Sequence, residues 1–535
     1  MAEKPIYILP EDVQRTLGKD AQRNNIMAAK IVAETIKSTL GPKGMDKMLV
    51  DSGGDIIVTN DGVTILNEIE IEHPAAKMIV EIAKTQEDEV GDGTTTAVMF
   101  AGRLLENAEE LLDKKIHPTV IAKGYRIAAE EAVKILKEIS YDISSVDEEK
   151  LKSIALTAMT GKGAEAAKDK FSDIIVKAVR QIAENGLDLG NIKLEKSKGG
   201  GVEDTELISG IVIDKERVNS DMPQKVENAR IALIDSALEI KQIDDAKISI
   251  TSPDQMQSFV QQQENILKEM VDKIRSSGAN VVFCQKGIDD LAQYYLSKAG
   301  IYACRRVGRD DMIKLSKATN GKIISQIDEL NQENLGNAQL VEERKKGEEE
   351  MTYITGCSNP KALTILIYGG TGHVIDEMER AIKDGLGDVA AAIKYGKIVA
   401  GGGAIEIELA KRLREFSQRL QGREQLAIEK FASALEFIPS TLAENAGLDP
   451  IDILTELKAR HDSGEMQAGI NIFTNQIENT INAGIIEPLK IKTQAISSAS
   501  EVAMMILRID DVIASGKSQP SPRGMQGMPG LQGME

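Results

Sequence analysis

The chain has 535 residues, 42% of them apolar and 28% charged, a composition typical of globular proteins with substantial cores. Lysine and arginine number 65 against 84 aspartates and glutamates, and the net charge of −19 argues against a nucleic-acid partner because no basic run offsets it. Three widely separated cysteines without a CxxC pattern exclude a disulfide framework and favour a reducing compartment.

Targeting and metal signals are equally sparse. The N-terminal segment MAEKPIYILPEDVQ lacks the apolar stretch of a signal peptide, and the sequence has no run of about 18 apolar residues that would span a membrane. The four histidines, at positions 73, 117, 373 and 461, have no zinc-site spacing with the cysteines. We therefore expect a cytoplasmic protein without a membrane partner.

The N-terminal part of the chain reads mainly as helices. Apolar residues at helical spacing predict a helix in DAQRNNIMAAKIVAETIKSTLG, which Gly41 and Pro42 end. The segment TNDGVT lies between two β-branched runs and predicts a hairpin turn, since Asn, Asp and Gly tolerate positive φ. A helix through Ala76–Thr85 leads to EVGDGTTTAVMFAGRLL, and two more helices follow.

The middle of the chain has a different character. From about Met222 to Tyr368, strands alternate with helices, which predicts an α/β unit with a parallel sheet. Helix returns from Thr371 to Tyr395, the segment KIVAGGGAIEIELAKRL reads as strand, glycines and helix, and the rest is mostly helical. Helical segments at both ends thus enclose an α/β insert, so we infer nested domains in which the two ends pack together. The final SQPSPRGMQGMPGLQGME predicts a flexible tail.

The segment VGDGTTTAV is the strongest candidate for a binding site. Gly91 and Gly93 allow the backbone to approach a ligand closely, and the threonines that follow begin a helix whose free N–H groups favour an anion. A plain helix N-cap with spare threonines is the alternative. Asp92 decides between them if a metal is present, because Mg²⁺ binds through one or two carboxylates together with phosphate oxygens. The segment therefore predicts Mg-nucleotide rather than bare phosphate.

Three further segments suit the same chemistry. TLGPKGMD and AGGGAIE are glycine-rich turns that permit close contact with a ligand or with a neighbouring helix. TNDGVT contains Asp61, which is either a turn residue or a second functional carboxylate. Together with VGDGTTTAV, these segments fit a phosphoryl-transfer site, which needs positioning groups, a metal and a group that orients water.

These motifs, together with MTGKGAE, TLAENAGLDP and EPLKIKTQAI, make the chain resemble a group II chaperonin subunit of the archaeal thermosome type from Asp12 to about Ile513. The resemblance implies an ATPase that uses ATP and Mg²⁺. It also implies two stacked rings of eight or nine identical or homologous subunits that enclose non-native polypeptides and fold them.

The resemblance also implies a role for each matching residue. Asp61 and Asp384 match the carboxylates that position or activate the attacking water, and Lys162 matches a lysine that senses the γ-phosphate. The other implied site residues are Asp92 at Mg²⁺; Gly93, Thr94, Thr95 and Thr96 at the phosphates; Leu40, Gly41, Pro42, Gly402 and Gly403 along the nucleotide; and Glu487 at the ribose. Gly385, directly after Asp384, departs from the family pattern, in which alanine is commoner.

The implied fold is a multidomain α/β architecture. Its parts are a mainly helical equatorial ATP-binding domain (1–144 and 403–515), a small intermediate hinge domain (145–214 and 369–402), an α/β apical client-binding domain (215–368) with a helical lid protrusion at about 244–277, and a flexible Gly/Met tail (516–535). Two other interpretations of the motifs remain open at this point: an ATP-dependent small-molecule enzyme such as a kinase or ligase, and a structural ring protein without turnover.

Overall fold

A computed structural model describes residues 13–50, 53–163, 167–184, 186–240, 253–346, 349–358 and 360–515. Within these ranges, no helix combines the length and the apolar character needed to cross a membrane. The predicted tail lies outside the described residues, as does the first part of the predicted protrusion, up to residue 252.

Helices make up most of both ends of the chain. In chain order they are α1 (Gly18–Lys37), α2 (Gly62–Glu68), α3 (Pro74–Val90), α4 (Thr94–Asp113), α5 (Pro118–Ile139), α6 (Glu148–Met159), α7 (Lys168–Ala183), α8 (Pro253–Ser276), α9 (Asp290–Lys298), α10 (Arg309–Thr319), α11 (Gly372–Tyr395), α12 (Ala404–Ser417), α13 (Glu424–Leu435), α14 (Phe437–Asn445), α15 (Pro450–Asp462) and α16 (Leu489–Leu507).

Strands concentrate in the middle of the chain. In chain order they are β1 (Val13–Leu17), β2 (Lys47–Val50), β3 (Ile56–Thr59), β4 (Tyr141–Asp142), β5 (Ile192–Lys198), β6 (Glu206–Ile208), β7 (Gly210–Ile213), β8 (Lys225–Ile234), β9 (Val281–Cys284), β10 (Tyr302–Cys304), β11 (Ile323–Ile324), β12 (Gly336–Lys346), β13 (Glu349–Thr355), β14 (Leu363–Gly369), β15 (Lys397–Ala400), β16 (Ala468–Asn471), β17 (Gln476–Asn479), β18 (Ile486–Pro488) and β19 (Asp511–Ser515).

The largest core combines residues from the two ends of the chain. Phe431 of α13 is fully buried and makes edge-to-face contacts with Phe100 of α4 and Tyr125 of α5, at ring-centroid distances of 5.2 and 5.8 Å. The chain ends also pair directly, because β1 and β19 form an antiparallel ladder in which Arg15 contacts Asp511 at 2.6 Å. In the structure, the two ends of the chain therefore pack against each other, as inferred.

A second core lies between α6, α7 and α11 and the sheet β5-β14-β6. Every residue of β14 is buried. A β-carbon placed on Gly385 of α11 would come within 2.7 Å of Ile175 Cδ1, so this glycine lets α11 pack closely on α7. The departure from the family pattern at Gly385 thus has a packing role in this core.

A third region is built on a seven-stranded sheet with the order β10-β9-β8-β12-β13-β7 and β11 beside β8. Alternate residues of β8 face opposite sides, with Ile231 and Leu233 packing towards α10 and Ala232 and Ile234 towards α8 and α9. The prediction of a parallel sheet is only partly right. Strands β8–β11 are parallel, but β12, β13 and β7 are antiparallel, because the polar segment after α10 folds into a long hairpin.

The prediction of a hairpin turn at Asn60-Asp61-Gly62 is wrong. Strand β3 ends at Thr59, Asp61 is the N-cap of α2, and its carboxylate accepts hydrogen bonds from Thr64 N at 2.9 Å and Thr64 Oγ1 at 2.6 Å. Aspartate stabilises both turns and helix starts, and here capping prevails. The hairpin in this region is formed by β2 and β3, which both precede Asn60 and pair in an antiparallel manner.

The aromatic contacts of Phe431 give a first prediction. We expect Phe431→Ala to lower the free energy of unfolding by about 3–5 kcal/mol, since it opens a cavity in the core shared by both chain ends. The matched control is Phe473→Ala, whose ring is 60% exposed and should cost under about 1 kcal/mol. Urea denaturation of both variants measures the difference, and equal losses would contradict this view of the core.

Candidate functional site

The loop between α3 and α4 is held in one conformation by its two glycines. Gly91 and Gly93 both have left-handed backbones, with φ of 82° and 79°. A β-carbon on Gly93 would lie 2.7 Å from Ile491 Cγ2, so only glycine fits there. Gln86 Nε2 ties the loop to α16 by donating hydrogen bonds to Asp92 O at 2.9 Å and to Ile491 O at 3.3 Å.

Helix α4 begins at the loop with three threonines. In its first turn, Thr94 to Thr96, the backbone N–H groups have no carbonyl acceptors, because no turn of helix precedes them. The start of α2 is adjacent, because a β-carbon on Gly62 would come within 2.6 Å of Thr95 Oγ1 and 3.3 Å of Thr95 N. The helix that Asp61 caps therefore begins beside the helix that the GDGTTT segment begins, and this arrangement suits an anion.

Lys162 joins this loop to two distant segments. Its Nζ lies 3.3 Å from Asp92 Oδ1 and donates a hydrogen bond to Asp384 Oδ2. Burial would lower the pKa of Lys162, but the Asp384 and Asp92 carboxylates outweigh it and raise the pKa well above its usual value. Burial also raises the pKa of Asp384, with Lys162 opposing and Asp92 and Asp61 reinforcing the rise. One ammonium thus faces several carboxylates.

The turn that carries Lys162 rests on the GPKG segment. Asn60 Nδ2 donates to Gly161 O at 2.7 Å, and a β-carbon on Gly161 would lie 2.7 Å from Pro42 Cα. Leu40 is buried, and its carbonyl accepts a hydrogen bond from Asn445 at 2.9 Å. Of the predicted residues, Pro42 therefore lies beside the Lys162 turn, and Leu40 and Gly41 precede it in the same segment.

The glycine loop after β15 packs against protein and lies beside Glu487. Gly402 and Gly403 have φ of 64° and 77°, and β-carbons there would lie 2.6 Å from Ile470 O and 2.6 Å from Pro439 Cβ. Close approach at these two glycines is thus needed for packing against protein. Glu487 lies on β18, which pairs with β15, and its Oε2 is 2.8 Å from Lys492 Nζ.

The structure therefore brings Asp61, Asp92, Lys162 and Asp384 together and sets Glu487 beside the 401–403 loop. Among the described residues, no group of three or more His, Cys, Asp or Glu side chains is arranged to hold a metal. Magnesium at a nucleotide site needs only one or two carboxylates, because phosphates and water supply the other ligands. The Lys162 ammonium already places a positive charge beside the Asp92 carboxylate. The carboxylate oxygens at this position therefore fit a cation.

Two acidic residues near this group were missed by the sequence reasoning. Asp388 is 1% exposed, and its Oδ1 has no hydrogen-bond partner among the described residues. Burial, then the Asp92 carboxylate, raises the pKa of Asp388 well above its ordinary range, and Lys162 opposes this. Its one sequence signal is the four-residue spacing from Asp384, which puts both on one face of α11. Glu87 of α3 is the second acidic residue that the sequence did not indicate.

Glu87 gives a prediction for pH. Burial and the carboxylates of Asp61 and Asp92 raise the pKa of Glu87 to about 7. The folded state then holds a proton that the unfolded state releases, so the Glu87 contribution to stability is full below its unfolded pKa and is lost as pH rises towards 7. Across that range we expect the wild type to lose about 1–3 kcal/mol of its free energy of unfolding through Glu87, and Glu87→Gln should not show this loss.

Urea denaturation from pH 4.5 to 7.5, without magnesium or nucleotide, measures this loss. Glu89→Gln, on the exposed side of the same helix, is the matched control and should follow the wild type. A Glu87→Gln variant with the wild-type pH dependence would contradict the assignment.

Comparison with known proteins gives one consistent result. The model of the TCP-1/cpn60 chaperonin family matches residues 32–517. A thermosome subunit of Methanopyrus kandleri is 60% identical over 96% of this chain and 95% of its own length, and thermosome subunit beta of Archaeoglobus fulgidus is 60% identical over 98% of both chains. A solved open-state monomer of a group II chaperonin from Methanococcoides burtonii has 50% identity and a TM-score of 0.60, covering 78% of this chain and 100% of that one.

The resemblance seen in the motifs is thus confirmed over nearly the whole chain, and so is the multidomain α/β chaperonin fold. The chain belongs to the TCP-1/cpn60 chaperonin family as a group II subunit of the archaeal thermosome type, and its function is that of an ATP-dependent molecular chaperone.

Proposed function

We propose that this subunit binds Mg-ATP at the start of α4 and hydrolyses it to drive protein folding. The observation that carries the proposal is the contact of Lys162 with both Asp92 and Asp384, which joins the GDGTTT loop to two segments far away in sequence. An anion site at a helix start, a carboxylate for a metal and two further carboxylates for water are the parts that phosphoryl transfer to water requires.

Each residue has a defined task in this proposal. The N–H groups and hydroxyls of Thr94 to Thr96 bind phosphate oxygens, since they lie at a free helix start. Asp92 would hold a bound Mg²⁺, which would supply positive charge against the phosphates. Asp384 accepts a proton from the attacking water, and Asp61 orients that water. Lys162 would donate to the terminal phosphate once its contact with Asp92 is released.

Assembly into two stacked rings of eight or nine identical or homologous subunits is part of the proposal. The thermosome subunits among the relatives support it, and so does an exposed apolar surface on the β2–β3 hairpin, where Met48 and Val50 are 68% and 63% exposed. Such a surface on a strand pair suits contact with another protein chain.

We also propose the domain boundaries given above: 1–144 with 403–515, 145–214 with 369–402, and 215–368. The separate cores support them, since one core joins both chain ends and another joins α6, α7 and α11. Non-native polypeptide is the proposed client. Exposed Leu291 and Tyr294 of α9 support contact with apolar segments in the 215–368 region.

Asp384→Asn tests the proposed catalysis. We expect kcat for ATP hydrolysis to fall about 10²- to 10⁴-fold, because a general base is lost, while ATP still binds. Asp376→Asn is the matched control on the same helix, since Asp376 is 47% exposed and pairs with Lys196 away from Asp92. A phosphate-release assay gives the rates, and negative-stain microscopy checks that the rings persist.

Three outcomes would contradict the proposal, each in a different part. Intact double rings that hydrolyse ATP at the wild-type rate would show that Asp384 is not catalytic. Free monomers with robust turnover would contradict the ring assembly and favour a small-molecule enzyme, whereas rings without any turnover in the wild type would favour a structural role.

Asp92→Asn tests the proposed metal ligand. We expect the Mg²⁺ concentration for half-maximal hydrolysis to rise by about tenfold or more, because one of the few protein carboxylates at the metal is removed. Asp88→Asn, on the exposed side of α3, is the control and should leave the magnesium requirement unchanged. An unchanged requirement in Asp92→Asn would move the metal to another carboxylate.

A further inference from the structure

Asp388 of α11 is a buried acid that has no task in the hydrolysis proposed above. It is 1% exposed, and its Oδ1 is enclosed without a hydrogen-bond partner among the described residues. A buried carboxyl oxygen without a donor costs free energy whether the group is ionised or protonated, and an apolar side chain would avoid that cost. Stability in this state therefore does not account for Asp388, whereas a partner that arrives in another state of the protein would.

Helix geometry and packing place Asp388 near Lys162. Residues four apart on a helix share a face, with roughly 5–6 Å between their β-carbons, so Asp388 neighbours Asp384, which Lys162 already contacts. The preceding residue packs on the end of α3, since a β-carbon on Gly387 would lie 2.9 Å from Val90 O. Burial raises the pKa of Asp388 and the Lys162 ammonium opposes this rise, so the two groups lie within electrostatic range.

Lys162 would lose one of its two carboxylates under the proposed function. Its Nζ lies 3.3 Å from Asp92 Oδ1 and also donates to Asp384 Oδ2, and a metal at Asp92 would take the first of these partners. The lysine side chain is 19% exposed, so water can replace that partner only in part. A largely buried ammonium that loses a carboxylate needs another acceptor. The terminal phosphate of ATP would be one, but it is absent once the phosphate product has left.

We propose, on the basis of the proposed nucleotide binding, that Asp388 is a positioning residue that accepts Lys162 when Asp92 is occupied and no terminal phosphate is present. Lys162 keeps its contact with Asp384 throughout. Its second partner changes from Asp92 to Asp388, one helical turn further along α11. This change is within the reach of lysine, whose ammonium has three donors on a flexible four-carbon stem. Asp388 thereby draws Lys162 away from the phosphate product and favours its release.

The Asp92→Asn protein without nucleotide or metal tests the exchange of partners by itself. Removing the charge of Asp92 imitates its capture by a metal, so in a cryo-EM structure of the full chain Lys162 Nζ should lie within hydrogen-bond distance of an Asp388 oxygen. In the nucleotide-free wild type, Lys162 should remain at Asp92. An Asp92→Asn structure in which Lys162 still contacts position 92, or in which Asp388 still has no partner, would overturn the inference.

Asp388→Asn tests the consequence for phosphate. The variant lacks the carboxylate to which Lys162 would move, so Lys162 stays available to the phosphate product. We expect inorganic phosphate to inhibit ATP hydrolysis at a concentration about tenfold lower than in the wild type, as for one hydrogen bond to a charged group. Asp388→Glu should restore part of the wild-type value. A merely structural role would change the urea midpoint without changing inhibition by phosphate.

Asp376→Asn is the matched control, since Asp376 lies on the same helix and pairs with Lys196. It should show the wild-type inhibition by phosphate. A folded Asp388→Asn protein that phosphate inhibits no more strongly than the wild type would overturn the inference. A wild type that hydrolyses no ATP would instead refute the proposed function, and the nucleotide-free Asp92→Asn structure would still decide whether Lys162 exchanges its partners.

Discussion

A single, largely buried ammonium group, that of Lys162, connects three parts of the chain that are far apart in sequence. It contacts Asp92 in the loop before α4 and Asp384 on α11, while its own turn follows α6. A buried ammonium is stable only beside its carboxylates, because removing one partner leaves an unpaired charge in a poorly solvated place. The relative position of these three segments therefore depends on one set of charges.

Close backbone packing further restricts the relative position of these segments. A β-carbon on Gly387 of α11 would lie 2.9 Å from Val90 O, and one on Gly161 would lie 2.7 Å from Pro42 Cα. Both contacts join a segment of the second core to the helical core made from the chain ends. Under the proposed function, a metal at Asp92 would compete with Lys162 for the same carboxylate. Nucleotide binding would then act directly on a contact that joins the two cores.

The sequence motifs predicted the parts of this site that local chemistry determines. Gly91 and Gly93 need left-handed backbones, and the threonines begin a helix, so the GDGTTT segment has the conformation that its residues indicate. Asp61 is ambiguous in the sequence because aspartate favours turns and helix caps alike; in the structure it caps α2 and accepts hydrogen bonds from Thr64.

Other features could not be predicted from local pattern because they depend on distant partners. The antiparallel half of the large sheet is one, since β12 and β13 are polar strands without a clear alternation. Asp388 and Lys492 are others, because a charged residue on a helix normally faces water. Lys492 pairs with Glu406 and Glu487, and Asp388 lies close enough to Asp92 for that carboxylate to raise its pKa; these neighbours come from other parts of the chain.

The charge balance around the site explains why an aspartate lies in a loop suited to phosphate. Asp61, Asp92, Asp384 and Asp388 surround Lys162, so carboxylates exceed ammonium groups before any ligand binds. Phosphate alone would add negative charge to a centre where burial already disfavours ionised acids. A nucleotide accompanied by a divalent cation reverses this, because the cation offsets both the phosphates and the Asp92 carboxylate. Under the proposed function, the excess of acid thus favours the metal complex of the nucleotide over the free anion, and the phosphate loop needs no lysine of its own.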